Sequence, residues 1–477
     1  MKRNAYKLMA AVLIILLLNS LMLAGCGSNT PSATEKSTAT DATAAVSSSG
    51  QQTQSAEPVR LKFTYWASPD EKKINDEAAK RYTEKTNGRV IVDAQCIPSD
   101  YDTKLTAMIA GNDAPDVAMM ESATITFPLA EQGKLLNLKK FTDEDSTFNL
   151  DTLVPNITYW SGKDELIGIA PGPEMFLLYY NKDLFQAAGV ETPPAKYSEA
   201  WTWDKFVEVA KELTIDQTGK NAAQPGFDPK KIKQYGVSGF TGWWGAWGNF
   251  VYENGGDFVT KDGKFGLSQP EATDALQNIA DLINVHHVHP GPVQIKSMPG
   301  TDQALLTRKV AMVLDGQWSN QATATAKVNY GVGVLPKLKE NPTTMVVCAM
   351  FSIFSSTKHA EDAWGLVKML IDPESTMELT KGGSWMPSLK SYYSDPALVD
   401  RWATGPARPE GYKDAVIDMM LNHSVTGPTF TVKNYNKIMD IANPALDKVW
   451  LGQQSAADAM KAIEPKAQEQ VQGRRDQ

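Results

Sequence analysis

From Val59 onward the chain switches repeatedly between two hydrophobic periods, and that alternation limits its fold more than any other feature. Val59, Leu61, Phe63 and Tyr65 alternate with Arg60, Lys62 and Thr64, the two-residue period of a strand. Ser68-Pro69-Asp70-Glu71 follows, with a Ser cap, a Pro at the first helical position and a Glu placed to complete a capping box. Ile74, Ala78 and Tyr82 share one helical face, and Asn87-Gly88 stops the helix. Arg89 to Gln95 reads as a second strand, Asp102 to Ile109 as a helix ending at Gly111, and Asp116 to Met120 as a third strand. Strand-helix-strand-helix-strand predicts a parallel sheet with helices on its faces. Ligands of such sheets bind beyond the carboxyl ends of the strands, where Trp66 and Glu121 lie.

The alternation resumes downstream. Trp203, Phe206, Val207, Ala210 and Leu213 form one helical face behind a Thr202 cap, so Trp203 reads as core. Ser268-Gln269-Pro270-Glu271 reads as another capping box, opening a helix that turns Leu276, Ile279, Leu282 and Ile283 inward. Tyr330 to Leu335 and Met345 to Phe354 read as strands, and Ala360 to Leu370 as a helix. No internal repeat is visible. A length of 477 residues exceeds one ordinary core, so two lobes are expected.

The first residues have a different character. Lys2, Arg3 and Lys7 precede an apolar run from Met9 to Leu18, the length of a secretory signal and short for a permanent membrane span. Leu23-Ala24-Gly25-Cys26 resembles the lipobox of bacterial lipoproteins, which implies cleavage before Cys26 and lipid on its thiol and amine; the alternative is an ordinary cleaved signal with an incidental Cys. Thr30 to Ser55 is Ser, Thr, Ala and Gln with almost no large apolar side chain, and reads as a disordered tether. The expected division is a signal peptide over 1–25, a tether over 26–58, and structure from Val59. Everything after Cys26 is then outside the cytoplasm.

The formal charge of −8 grows more negative once Lys2, Arg3 and Lys7 are removed. Such a chain repels nucleic acid and anionic lipid, so neither is expected as ligand. Cys96 and Cys348, both in apolar, strand-like surroundings, read as two buried free thiols rather than a disulfide framework. His286-His287-Val288-His289-Pro290 could be a metal site. Two of the three are adjacent, however, and adjacent helical side chains diverge; a helix C-terminus complemented by imidazolium is the favoured reading. There is no Gly-x-Ser-x-Gly elbow, no phosphate-binding Gly-rich loop and no His-Glu-x-x-His. Neither a metal nor a cofactor is expected. Carboxylates are plentiful, so a glycosidase pair stays open, though nothing points to one.

Several blocks, in collinear order, resemble the family 1 extracellular solute-binding proteins of ABC importers, the maltose-binding type. They are Tyr179-Tyr180-Asn181-Lys182-Asp183-Leu184-Phe185 with Thr202 to Phe206, and Arg308 to Met312 with Asp315-Gly316-Gln317-Trp318. Lys327 to Val332 with Leu335-Pro336, and Asn434-Tyr435 with Trp450-Leu451-Gly452, complete the set. The resemblance implies an α/β, two-lobed periplasmic-binding-protein-like fold (type II) with the ligand in the cleft between lobes. It implies crossings near Pro171 to Leu178, near Met345 to Phe351 and around Tyr393. The N-terminal lobe would be 59–172 with 348–392, and the C-terminal lobe 173–347 with 393–477.

A sugar offers apolar C–H faces to aromatic rings and a rim of hydroxyls to planar polar groups. Phe240 to Gly248 holds Trp243, Trp244 and Trp247 among glycines, too many for a helix core, and is expected to stack on ligand unless one indole packs between helices. Glu174 follows a Pro171-Gly172-Pro173 turn that departs from the family's usual polar-aromatic tripeptide, yet its carboxylate suits a hydroxyl. By the resemblance, Asp315, Trp318, Trp385 and Tyr435 also face ligand, with Trp318 as a mere buttress the alternative. The function expected is capture of a carbohydrate, an oligosaccharide, for delivery to an ABC permease by a monomer held to the cell membrane through Cys26. A charged solute (a uronide, a glycerophosphodiester or a peptide-like compound) and a lipoprotein glycoside hydrolase or lyase are the alternatives.

Overall fold

The computed structural model describes residues 57–120, 123–339 and 343–475. The signal over 1–25, nearly all of the tether, Cys26 and Glu121 lie outside the described residues. Five strands come first: β1 (Val59–Tyr65), β2 (Val90–Cys96), β3 (Val117–Met120), β4 (Thr158–Gly162) and β5 (Glu165–Ile169). There follow β6 (Glu174–Asn181), β7 (Ile215–Asp216), β8 (Ile232–Ser238), β9 (Val310–Gly316) and β10 (Tyr330–Gly333). The last are β11 (Thr344–Val347), β12 (Met350–Ile353) and β13 (Ser424–Thr426).

These strands form two sheets. The first has the order β2-β1-β3-β12-β5-β4, with β1 parallel to both neighbours: Phe63 faces Ala94 on one side and Val117 on the other. The second has the order β13-β11-β6-β9-β8-β7, with β10 also paired to β6. The chain passes between sheets twice within a few residues, from β5 to β6 through 170–173 and from β11 to β12 through Cys348-Ala349. The expected single strand from Met345 to Phe354 is therefore two. Val346 and Val347 pair with Met175 and Glu174 in the second sheet, whereas Phe351 pairs with Met119 in the first.

Local chemistry accounts for most helix boundaries. In the Pro69–Lys85 helix, Ser68 Oγ accepts from Glu71 N and the Glu71 carboxylate accepts from Ser68 N at 2.8 Å. The helix buries Ala78 and Tyr82 and gives way at Asn87 and Gly88, both at positive φ. The Trp203–Leu213 helix starts behind a Thr202 cap and buries all five residues of its expected face. The second capping box is a correction. Ser68 directly precedes its Pro, but Gln269 stands between Ser268 and Pro270, and a Pro at the first helical position makes Gln269 the N-cap. Ser268 instead ends the 3-10 turn Gly266–Ser268 and donates to Phe265 O. The Pro270–Asn284 helix still buries Leu276, Ile279 and Leu282, with Ile283 half-buried. None of the helices among the described residues is long and apolar enough to cross a membrane.

Candidate ligand cleft

A cavity of about 460 Å³ opens between the two sheets, beyond the carboxyl end of β1. On the side of the first sheet it meets Trp66, which directly follows β1, then Glu71 in the first turn of the Pro69–Lys85 helix and Thr124 in the first turn of the Ala123–Glu131 helix. Its floor is the Val347-Cys348-Ala349 link with Glu174 alongside. Trp243, Trp244 and Trp318 form the opposite wall, and Thr429, Phe430 and Asn436 close one end.

The tryptophan-rich stretch folds differently from the expectation that its glycines exclude a helix. Trp244–Glu253 is helical, and Trp243 is its N-cap. Intrinsic propensity is a weak prior that burial overrides, and here the glycines are what the packing needs. A Cβ on Gly245 would stand 2.6 Å from the Trp243 ring. On the same wall, a Cβ on Gly316 would fall 2.0 Å from Trp318, so only glycine lets that indole fold back over the end of β9. The rings form a connected set. Trp243 lies 5.1 Å from Trp244 and 5.9 Å from Trp318, and Phe176 supports Trp243 and Trp318 from below at 5.5 and 5.6 Å.

The remaining candidates fall into distinct places. Trp247 is 2 % exposed and stacks on Phe258 at 5.0 Å, inside the core of the second sheet and away from the cavity. Tyr435 is buried behind Trp244, 6.0 Å from its ring, and among the described residues its buried hydroxyl has no hydrogen-bond partner; burial raises the pKa of that phenol. Asp315 does not line the cavity. Its carboxylate accepts from Gly316 N and from the hydroxyls of Thr301 and Ser319, which fixes the turn that carries Trp318. Trp385 is buried beside the β5–β6 crossover, next to Gly172, and Met386 N donates to Pro173 O. Trp66 and Trp243, by contrast, are 40 % and 42 % exposed. Large apolar groups left that open mark surfaces that meet something.

Several residues of the cavity carry no signal in the sequence. Phe430 packs at 4.4 Å on Tyr159, whose hydroxyl donates to Cys348 O at 2.9 Å and stands 2.9 Å from the sulfur. Enclosure pushes the Cys348 thiol up to about 12, so it stays protonated and unreactive. Cys96 and Cys348 are both free, and each is half-buried rather than fully buried. Asn436 Nδ2 donates to Thr124 Oγ1 at 3.0 Å, and Gln321 Nε2 donates to Asp70 Oδ2 at 3.0 Å; both bonds run from second-sheet helices to first-sheet helices.

The histidine cluster holds structure together. His287 Nδ1 lies 3.0 Å from Ile283 O at the end of the Pro270–Asn284 helix. His289 is fully enclosed: its Nδ1–H donates to Pro290 O and its Nε2 accepts from Phe240 N, at the entrance to the tryptophan-rich stretch. Burial lowers its pKa to about 4, so it is neutral, and the expected imidazolium at this helix end is corrected for His289. Among the described residues no group of three His, Cys, Asp or Glu side chains could hold a metal ion.

A larger cavity, about 870 Å³, lies at the other end of β1 and β2, between the end of the Pro69–Lys85 helix and the Ala360–Ile371 helix. No Trp lines it. Two of its cations are already engaged, Arg89 with Asp362 at 2.7 Å and Lys368 with Asp145. Residue chemistry therefore favours the smaller cavity as the site.

Comparison with known proteins agrees with this architecture. A family model described as bacterial extracellular solute-binding protein matches residues 77–409. The maltooligosaccharide ABC transporter solute-binding lipoprotein of Streptococcus pneumoniae is 23% identical, over 94% of each chain. The sn-glycerol-3-phosphate-binding periplasmic protein of Rhizobium meliloti is 26% identical, over 75% of this chain and 79% of its own. An ABC substrate-binding protein of Listeria monocytogenes, solved in complex with cycloalternan, shares the fold with a TM-score of 0.69 at 24% identity, covering 87% of this chain and 99% of its own. The match to the family model spans well over half of the sequence, and the chain belongs to the bacterial extracellular solute-binding proteins, with their two-lobed α/β fold.

Proposed function

We propose that this protein captures an oligosaccharide in the cleft between its sheets and hands it to an ABC permease. The observation that carries the reading is the wall of Trp243, Trp244 and Trp318 facing Trp66 across 460 Å³. Indoles on both sides suit the C–H faces of a sugar ring, and Glu174, Thr124, Thr429 and Asn436 offer its hydroxyls planar and hydroxylic partners. The oligosaccharide relatives from Streptococcus and Listeria support the same solute class. The Rhizobium relative raises glycerol phosphate instead. A phosphate calls for Arg or Lys beside a helix N-terminus; among the described lining residues there is no Lys, Arg or His, and a carboxylate, Glu71, already stands in the first turn of the Pro69–Lys85 helix.

In this reading the lobes are 59–172 with 348–392 and 173–347 with 393–477, and ligand bridging both walls favours the closed arrangement by its differential affinity. The Asn436–Thr124 and Gln321–Asp70 bonds are then contacts of the closed rim. The protein binds without turnover and needs no cofactor. Cys26 carries the lipid after removal of the 1–25 signal, and a monomer on a 26–58 tether delivers its cargo.

A thermal-shift screen against mono-, oligo- and acidic saccharides, with peptides and divalent metals as controls, tests this. A ligand at 100 times its Kd stabilises by about 2.7 kcal/mol, a shift of a few degrees. The expected result is a shift with one neutral oligosaccharide class and recovery of that sugar intact. Cleaved sugar would make the protein an enzyme, and a shift with zinc alone would overturn the site assignment.

A further inference from the structure

The solute-binding role leaves the charge of the solute open, and the described side chains that line the cleft carry charge of one sign. Among its described lining residues, Glu71 and Glu174 carry carboxylates and nothing carries a basic group. Glu71 is held in place by the capping box, where its carboxylate accepts from Ser68 N. Glu174 is held by the first residues of β6, where Val347 pairs with it across the strand. The capping box fixes the Glu71 carboxylate, and the strand pairing fixes the backbone that carries Glu174. Four indoles line the same cavity, two of them at least 40 % exposed.

Each of these groups has a preference of the same sign. An indole face attracts a cation through its quadrupole, and more strongly once water is displaced. A fixed carboxylate adds a charge-assisted hydrogen bond to an ammonium, roughly twice as strong as one to a neutral hydroxyl. Against a phosphate or a uronate the same carboxylates are repulsive, and a walled cavity screens that repulsion poorly. The net charge of −8 adds a long-range field that favours cations and disfavours anions.

We propose that the cleft ranks saccharides by charge: an amine-bearing saccharide binds more tightly than its neutral counterpart, and a uronate- or phosphate-bearing one binds most weakly. The ranking rests on the saccharide reading above. It assigns Glu174 as the residue that sets specificity, by accepting from an ammonium on a ring that Trp66 and the facing indoles hold.

Calorimetric titration of the full chain tests it with size-matched saccharides carrying a free amine, an N-acetylated amine or a uronate. The amine-bearing member is expected to bind about tenfold more tightly than the acetylated one, with the uronate weaker than both. Glu174→Gln should bring the amine and acetylated affinities towards equality. Tighter binding of the acetylated or uronate member, or an unchanged ratio in the variant, overturns the proposal while the saccharide role stands. Spermidine and choline form a second arm. If they bind and no saccharide does, the saccharide reading fails and the preference for positive charge survives. If no member of either arm binds, both fall.

Discussion

The two walls of the cleft are built on different principles. On the second-sheet side, Trp243, Trp244 and Trp318 sit on Phe176, Gly245 and Gly316, and through Tyr435 the aromatic contacts run back to Phe258 and Trp247 in the core. On the first-sheet side Trp66 follows β1, as exposed as Trp243 (40 % against 42 %) but set among the polar first turns of two helices rather than on a bed of rings. One wall is rigid because the core fixes it. The other offers one indole and a set of hydrogen-bonding groups. Side-chain ordering is a cost of binding, so a wall already ordered in the free protein contributes more affinity per ring than an open one.

The sharpest break in that comparison runs within one segment. Trp247→Ala should cost about 3–5 kcal/mol of folding stability, because it empties a packed core site; urea unfolding reads this directly. Beneath the same wall, His289 should make stability depend on pH. The unfolded imidazole takes a proton near 6.5 and the folded one only near 4, so the contribution is complete above pH 6.5 and is lost as pH falls towards 4. The loss amounts to roughly 3 kcal/mol, and His289→Gln should remove it from the unfolding free energy measured across that range. Next come the rigid-wall indoles: Trp243→Ala or Trp318→Ala should weaken saccharide binding by about 2 kcal/mol, roughly thirtyfold, with a smaller loss of folding stability than Trp247→Ala. Trp66→Ala should lose only about 1 kcal/mol, or fivefold, since its ring must be ordered on binding. A larger loss at Trp66 than at Trp243 would reverse the contrast between the walls.

Much of this was legible in the chain because the signals are local. The β1–helix–β2–helix–β3 alternation and the Ser68 and Thr202 caps depend only on neighbours within four residues, and each appears where the periodicity places it. The helix at Trp244–Glu253 was not legible, because the glycines that disfavour it locally are required by rings that meet only in three dimensions. Asp315 shows the same limit. Its block resembles a ligand-facing one, but Thr301, Ser319 and Gly316 N occupy the carboxylate, and their convergence is tertiary. Phe430 reaches the cavity from the far end of the chain with no periodic or motif context to mark it, whereas the Asn434-Tyr435 block stops one residue short of Asn436. The cap at Gln269, by contrast, is legible in the chain: a Pro at the first helical position fixes the cap as the residue immediately before it.

Ligand is expected against the indole wall and not in the larger cavity near Lys85. Tryptophan fluorescence of the full chain, titrated with the saccharide that gives the greatest thermal shift, tests it most directly. One saturable transition is expected, strongly weakened in Trp243→Ala and Trp318→Ala and preserved in Lys85→Glu, whose side chain lines the 870 Å³ cavity. Binding that survives both tryptophan replacements and is lost in Lys85→Glu would contradict it.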